Sequence, residues 1–205
     1  MNGTQTLAEK IDRLESYEQI RQLAGKYALA VDMRDLDALV SLYVDNVDVT
    51  GIGRGRAAMK RHFDRTLRNF TGACHQIGNH VIEFEDADHA IGLVYGKSDH
   101  EVGDAWVAMQ MLYLDAYERR NGTWHFGKQR FLGRWYAAAP GEGPTGDLKV
   151  RWPGRAPVAG VFHAPFPSYA KFWTRASIAD EPLKSIPPDR FLRTMLRDRT
   201  IGELA

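Results

Sequence analysis

The chain has 205 residues and a mass of 23.2 kDa, enough for one domain with an extension and a sizeable hydrophobic core. Its 27 Lys and Arg residues balance 26 Asp and Glu residues, so no overall charge attracts nucleic acid or an anionic membrane. The single cysteine, Cys74, excludes an internal disulfide and a cysteine-rich zinc site. No apolar run is long enough to span a membrane, and the first 12 residues lack an apolar signal core, so we expect a cytoplasmic protein.

Proline usage divides the chain. All nine prolines lie at or beyond Pro140, so residues 1–139 are interpreted as the folded unit and residues 140–205 as a Pro-rich C-terminal extension. The extension carries large aromatic side chains, among them Trp152, Tyr169 and Trp173. We therefore expect it to pack on its own domain or on a neighbouring subunit.

The folded unit begins with helical periodicity. Apolar residues recur every three or four positions from Leu7 to Val31, which predicts a helix with a buried stripe. Asp35 can cap a second, short helix, and residues 47–50 resemble a brief strand. A third, amphipathic helix follows from Met59 to Phe70. A basic cluster along this third helix is interpreted as its solvated face, and it comprises Arg54, Arg56, Lys60, Arg61, Arg65 and Arg68.

Beyond residue 75 the pattern becomes that of strands. Residues 77–84, 89–98 and 105–118 are β-rich runs, and Asn121-Gly122 signals a hairpin turn before a last strand over residues 123–136. Helices followed by four antiparallel strands predict an α+β fold. In such a fold the helices gather on one face of a curved sheet and enclose a cavity with it.

Two residues at element boundaries could carry acid–base chemistry. Asp32 ends the first helical stretch, although it could also turn out to solvent, and His75 opens the first long strand, although it could also bond a backbone carbonyl. Histidine suits proton transfer near neutral pH. Strict alternation would send His80 to the opposite face, and no closely spaced histidine pair occurs, so no metal site is predicted.

Four further polar residues are weaker candidates. Tyr27 lies a little more than one helical turn before Asp32, so both could line one cavity. Arg130 and Arg134 share a predicted strand face, where either could point outward or stabilise negative charge in the cavity. His100 falls in a predicted turn, where exposure is expected.

Five loose motifs, taken in order, resemble a SnoaL-like domain of the nuclear transport factor 2-like superfamily. The motifs are residues 27–39, 42–45, 55–59, 75–79 and 119–130. The similarity is greatest to the group of scytalone dehydratase, hexachlorocyclohexane dehydrochlorinase and bile acid 7α-dehydratase. It covers roughly residues 5–136 and implies a cone-shaped α+β barrel, in agreement with the fold expected above.

The resemblance also implies site residues. An Asp–His dyad of this group is matched by Asp32 and His75, and a tyrosine of the bile acid enzyme by Tyr27. The second histidine of scytalone dehydratase falls on His100, and a late arginine falls on Arg130, with Arg134 close behind. One departure counts against a scytalone-like substrate, because the second tyrosine of that enzyme falls near Val49.

Residues and resemblance together predict a cofactor-independent lyase. His75 would remove a proton while Asp32 fixes its tautomer, Tyr27 would assist the leaving group, and Arg130 or Arg134 would orient the substrate. Water is the first-choice leaving group, with halide or formaldehyde as alternatives. Strand aromatics, Trp106 among them, favour a bulky apolar small molecule as substrate, of the kind met in aromatic compound catabolism.

Two rival functions remain open, an isomerase or cyclase of the same fold and a non-catalytic binding domain. The resemblance further implies a homo-oligomer, a trimer rather than a dimer. Neither a metal, a cofactor nor a nucleic-acid partner is expected.

Overall fold

The computed structural model describes residues 6–103, 105–128, 130–142 and 166–197, with the backbone alone for residues 131–142. The helices are α1 (Leu7–Asp32), α2 (Leu36–Ser41), α3 (Arg56–Leu67), α4 (Pro167–Thr174) and α5 (Phe191–Met195), the last preceded by a 3₁₀ turn (Pro188–Arg190). The strands are β1 (Asp48–Val49), β2 (Gly53–Arg54), β3 (Gly72–Phe84), β4 (His89–Val102), β5 (Ala105–Arg120), β6 (Thr123–Phe126) and β7 (Phe131–Glu142). In this part of the chain, no helix is long and apolar enough to cross a membrane.

Strands β3 to β7 form one antiparallel sheet on which the helices pack, so the α+β prediction is confirmed. Strand β4 lies between β3 and β5, and both β6 and β7 pair with the far edge of β5. The prediction of one continuous last strand was wrong, because β6 ends at Phe126 and β7 begins at Phe131. Strand β7 continues to Glu142, past the expected end of the strand near residue 136.

Helix α1 ends at Asp32, one of the candidate site residues, and its first turns are exposed whereas its second half is buried. A capping box fixes its start, where the Glu9 backbone N–H donates to Thr6 Oγ1 at 3.2 Å and the Thr6 N–H donates to Glu9 at 2.7 Å. The prediction of a buried apolar stripe was wrong for the first turns of α1, because Leu7, Ile11 and Leu14 are exposed. The second half of the helix is buried against α2 and the sheet.

The hydrophobic core lies between the three N-terminal helices and the sheet, and the extension contributes to it. Five apolar side chains from residues 166–197 belong to the same buried cluster: Phe172, Ile178, Ile186, Phe191 and Met195. Each such burial is worth about 1.5–3 kcal/mol. The basic face predicted for α3 is exposed only in part, because Lys60 is buried and bonds Asp37 at 3.0 Å.

Candidate active site

Asp32 and His75 meet where the end of α1 packs against the start of β3. His75 Nδ1 lies 2.6 Å from Asp32 Oδ1, and the His75 backbone N–H donates to Asp32 Oδ2 at 2.9 Å. Their side chains are only 7% and 8% exposed. A carboxylate accepts hydrogen bonds, so Nδ1 carries the proton and the lone pair of the ring lies on Nε2. The carboxylate of Asp32 therefore fixes the orientation of the His75 ring.

Arg34 fixes the turn that follows Asp32. Its backbone adopts a left-handed conformation with φ of 55°, and its fully buried guanidinium donates to the Val31 carbonyl at 2.6 Å and to the Phe70 carbonyl at 3.0 Å. Burial lowers the pKa of Arg34 to about 10, which still leaves it cationic near neutral pH. Arg34 thus ties the end of α1 to the segment that leads into β3.

His100 lies beside the pair. Its ring is perpendicular to that of His75 with centroids 5.2 Å apart, and Phe70 packs on its other side at 4.6 Å. The expected exposure of His100 was wrong, because β4 continues to Val102 and places the residue at a buried strand position. Burial, and then the proximity of His75, lowers the pKa of His100 to about 4, so the ring is neutral near pH 7.

This lowered pKa predicts acid sensitivity. A histidine in the unfolded chain has a pKa of about 6.5, so protons bind the unfolded state more readily than folded His100. Its contribution to stability is constant above about pH 6.5 and falls as the pH drops towards about 4. His100→Gln should flatten the decline of the unfolding free energy between pH 7 and pH 4.5, measured by denaturant titration.

His89 provides the control for that titration. Asp86 raises the pKa of this exposed histidine, so protonation favours the folded state and His89→Gln should steepen the decline slightly. Equal slopes for wild type and His100→Gln would contradict the assignment.

Tyr27 lies farther up the same helix and faces the sheet. Its ring packs against Phe63, Tyr113 and Phe126 at centroid distances of 6.0–6.2 Å. The guanidinium carbon of Arg130 lies over its face at 4.5 Å. Burial raises the pKa of Tyr27, so the phenol keeps its proton and can act as a donor.

Arg130 is held by a buried carboxylate that sequence analysis missed. Its Nε and Nη2 donate to the two oxygens of Asp115, both at 2.7 Å, and the two side chains are 2% and 0% exposed. Burial alone would lower the pKa of Arg130, but Asp115 raises it overall. Within the described residues, the third guanidinium nitrogen of Arg130, Nη1, is buried and has no hydrogen-bond partner. Asp115 could have been found from alternation, because it shares the inward face of β5 with Met111, Tyr113 and Tyr117.

His80 was assigned to the wrong face. Between Ile77 and His80 the pairing with β4 shifts by one residue, a β-bulge that inverts the alternation. His80 therefore points inward, where its Nε2 lies 2.9 Å from the hydroxyl of the buried Tyr117. Over the described ranges, no three His, Cys, Asp or Glu side chains are grouped so as to hold a metal ion.

The structure separates Trp106 from the site and does not describe the side chain of Arg134. Trp106 pairs with Glu101, one residue away from the pair of His100 with Val107, so it lies on the face of the sheet opposite to His100. Its expected contact with substrate does not fit this register. The backbone of Arg134 pairs with Met111, and its side chain lies outside the described residues.

Helices packed on one antiparallel sheet give the chain the α+β fold of its structural neighbours, consistent with a cone-shaped α+β fold. The chain belongs to the SnoaL-like domain family, whose model matches residues 12–130.

Named relatives agree with this assignment. The γ-hexachlorocyclohexane dehydrochlorinase of Sphingobium indicum is 28% identical over 138 residues, which span 64% of this chain and 88% of that enzyme. A crystal structure of a type 2 hexachlorocyclohexane dehydrochlorinase superposes with a TM-score of 0.60 at 24% identity, covering 71% of this chain and 99% of that one. A putative scytalone dehydratase from Novosphingobium aromaticivorans gives a TM-score of 0.55 at 22% identity, covering 72% and 99%. The dehydrochlorinases are lyases, and the two structural matches show the shared fold.

Proposed function

We propose that this protein is a cofactor-independent lyase that eliminates a small group from a bulky, apolar small molecule. One observation carries the proposal: His75 Nδ1 is bound to Asp32 at 2.6 Å, so Nε2 is left as a base in a buried setting. The curated relatives in this family are dehydrochlorinases, whose reaction also begins with loss of a proton and a leaving group.

Each polar group has a part in the elimination. His75 Nε2 takes a proton from a substrate carbon, the electrons of that C–H bond form the new double bond, and the leaving group departs with its own bonding pair. Asp32 stabilises the imidazolium. Tyr27 donates a proton to a departing hydroxide, giving water, and Arg130 Nη1 binds an acceptor atom of the substrate. Water is the preferred leaving group, and a halide would depart in the same way. In the formaldehyde alternative, His75 takes the proton of a hydroxymethyl O–H, the electrons of that bond form the C=O bond of formaldehyde, and the broken C–C bond leaves its pair on the substrate carbon, which takes a proton back from the imidazolium.

The buried and partly buried side chains between the Asp32–His75 pair and Arg130 favour an apolar, elongated substrate. On β4, Ser98 pairs with His75 and Val94 pairs with Tyr113. The guanidinium carbon of Arg130 lies 3.9 Å from the ring centre of Tyr113. Four residues of strand correspond to about 13 Å. The inward side chains along this interval include the apolar Ile77, Val94, Met109 and Met111.

A panel of hydroxylated, halogenated and hydroxymethylated cyclic and aromatic compounds tests the proposal. Wild-type protein, treated with chelator and dialysed, should release water, halide or formaldehyde with formation of a double bond, followed by absorbance and mass spectrometry. Reactions in D₂O separate the rivals. Deuterium incorporation without release would favour an isomerase, and saturable binding without exchange would favour a binding domain.

A further inference from the structure

Helix α4 lies outside the residues matched by the family model, yet it contacts both elements that carry the dyad. Ser168 Oγ donates to the Met33 carbonyl at 2.7 Å, one residue beyond Asp32. The hydroxyl of the next residue, Tyr169, donates to the Thr71 carbonyl just before β3 begins. Two adjacent side chains of α4 therefore hold the end of α1 and the start of β3 together.

The same helix covers the arginine that joins these two elements. The guanidinium carbon of Arg34 lies 4.8 Å from the ring centre of Phe70, 5.9 Å from that of Tyr169 and 6.0 Å from that of Phe172. Phe172 is fully buried. Stacking against aromatic faces stabilises a desolvated guanidinium, so α4 also supports the hydrogen bonds from Arg34 to residues 31 and 70.

A short contact between elements distant in sequence needs such support. Asp32 and His75 are 43 residues apart in sequence. Asp32 is the last residue of α1, where the backbone is least constrained by its own helix, and His75 is the fourth residue of β3. A misplacement of about 1 Å in a catalytic geometry can cost about 100-fold in rate.

We propose that α4 is a positioning element for the Asp32–His75 pair, with Ser168 and Tyr169 as its positioning residues. They touch neither the substrate nor the reacting atoms, and they act by fixing the separation of Met33 and Thr71. The activity readout of this inference rests on the proposed lyase function, whereas the geometric readout does not.

The test compares the double variant Ser168→Ala/Tyr169→Phe with Thr174→Ala, an exposed position on the same helix. In histidine-labelled full-length protein, the Nδ1–H proton of His75 is observed by NMR and assigned by its absence in His75→Gln. We expect the double variant to shift this resonance and to speed its exchange with water, while Thr174→Ala leaves both unchanged. On a substrate found with the panel, kcat should fall at least about tenfold with KM within about twofold.

A double variant that keeps the resonance, its exchange rate and kcat while only its melting temperature falls would reduce α4 to a stabilising element and overturn the proposal. If the double variant does not fold, the two single variants are measured in its place by the same criteria. Should no compound be turned over, the NMR comparison still decides the positioning role, so failure of the lyase proposal and failure of this one are distinguishable.

Discussion

His75→Ala is expected to lower kcat/KM by about 10²–10⁴-fold, the usual contribution of a positioned general base. Nδ1 of the imidazole is bound to Asp32 at 2.6 Å. The lone pair of Nε2 is therefore the one that can take the substrate proton. The comparison uses the best substrate of the panel, with His89→Ala as an exposed histidine control. Activity within about threefold of wild type in His75→Ala would remove the base from the mechanism.

Asp32→Asn should reduce activity less steeply and in a different way. The two oxygens of the carboxylate accept from the Nδ1–H and the backbone N–H of His75, whereas an amide offers only one oxygen. Where its NH₂ group faces Nδ1, the ring proton moves to Nε2 and the base is lost. Circular dichroism and the melting temperature of both variants should stay close to those of wild type, since a loss of fold would mimic the catalytic effect.

Asp32 and His75 could be singled out as candidates because each lies at the boundary of a pattern that a single sequence shows, whereas their pairing was implied by the resemblance to the SnoaL-like group. Asp32 closes an apolar helical stretch, and His75 opens the first strand-like run. Alternation predicts which face of the sheet a strand residue occupies only if no residue before it in the strand forms a bulge. One bulge between Ile77 and His80 therefore reversed the assignment of His80 without any warning in composition.

Contacts between distant segments were beyond sequence analysis. The extension could be expected to pack because of its aromatic residues, but which carbonyls Ser168 and Tyr169 would reach depends on the packed structure. Asp115 was passed over because an acidic residue in a strand is usually exposed. Its burial is explained by the bidentate contact with Arg130 and by the hydroxyl of Tyr117, which donates to it at 2.9 Å. Such pairings are set by tertiary geometry, since the two residues are 15 positions apart, with Asp115 on β5 and Arg130 just before β7.

The pair of Asp115 and Arg130 should also dominate stability. Both side chains are almost completely removed from solvent, and the attraction between them offsets the cost of desolvating two charges. Truncation of one partner leaves the other charge buried and uncompensated. Asp115→Ala is therefore expected to lower the free energy of unfolding by about 3–5 kcal/mol, measured by urea or guanidinium titration.

Two comparisons distinguish this effect from a simple loss of packing. Asp45 pairs with Arg56 but is 88% exposed, so Asp45→Ala should cost less than about 1 kcal/mol. The double variant Asp115→Leu/Arg130→Met removes both charges and fills the space with apolar groups, and it should recover most of the lost stability. It should at the same time lose turnover, because Nη1, the one guanidinium group that Asp115 leaves without a partner in the described residues, is gone. If the double variant is as unstable as Asp115→Ala, the penalty comes from the shape of the site and not from the unpaired charge of Arg130.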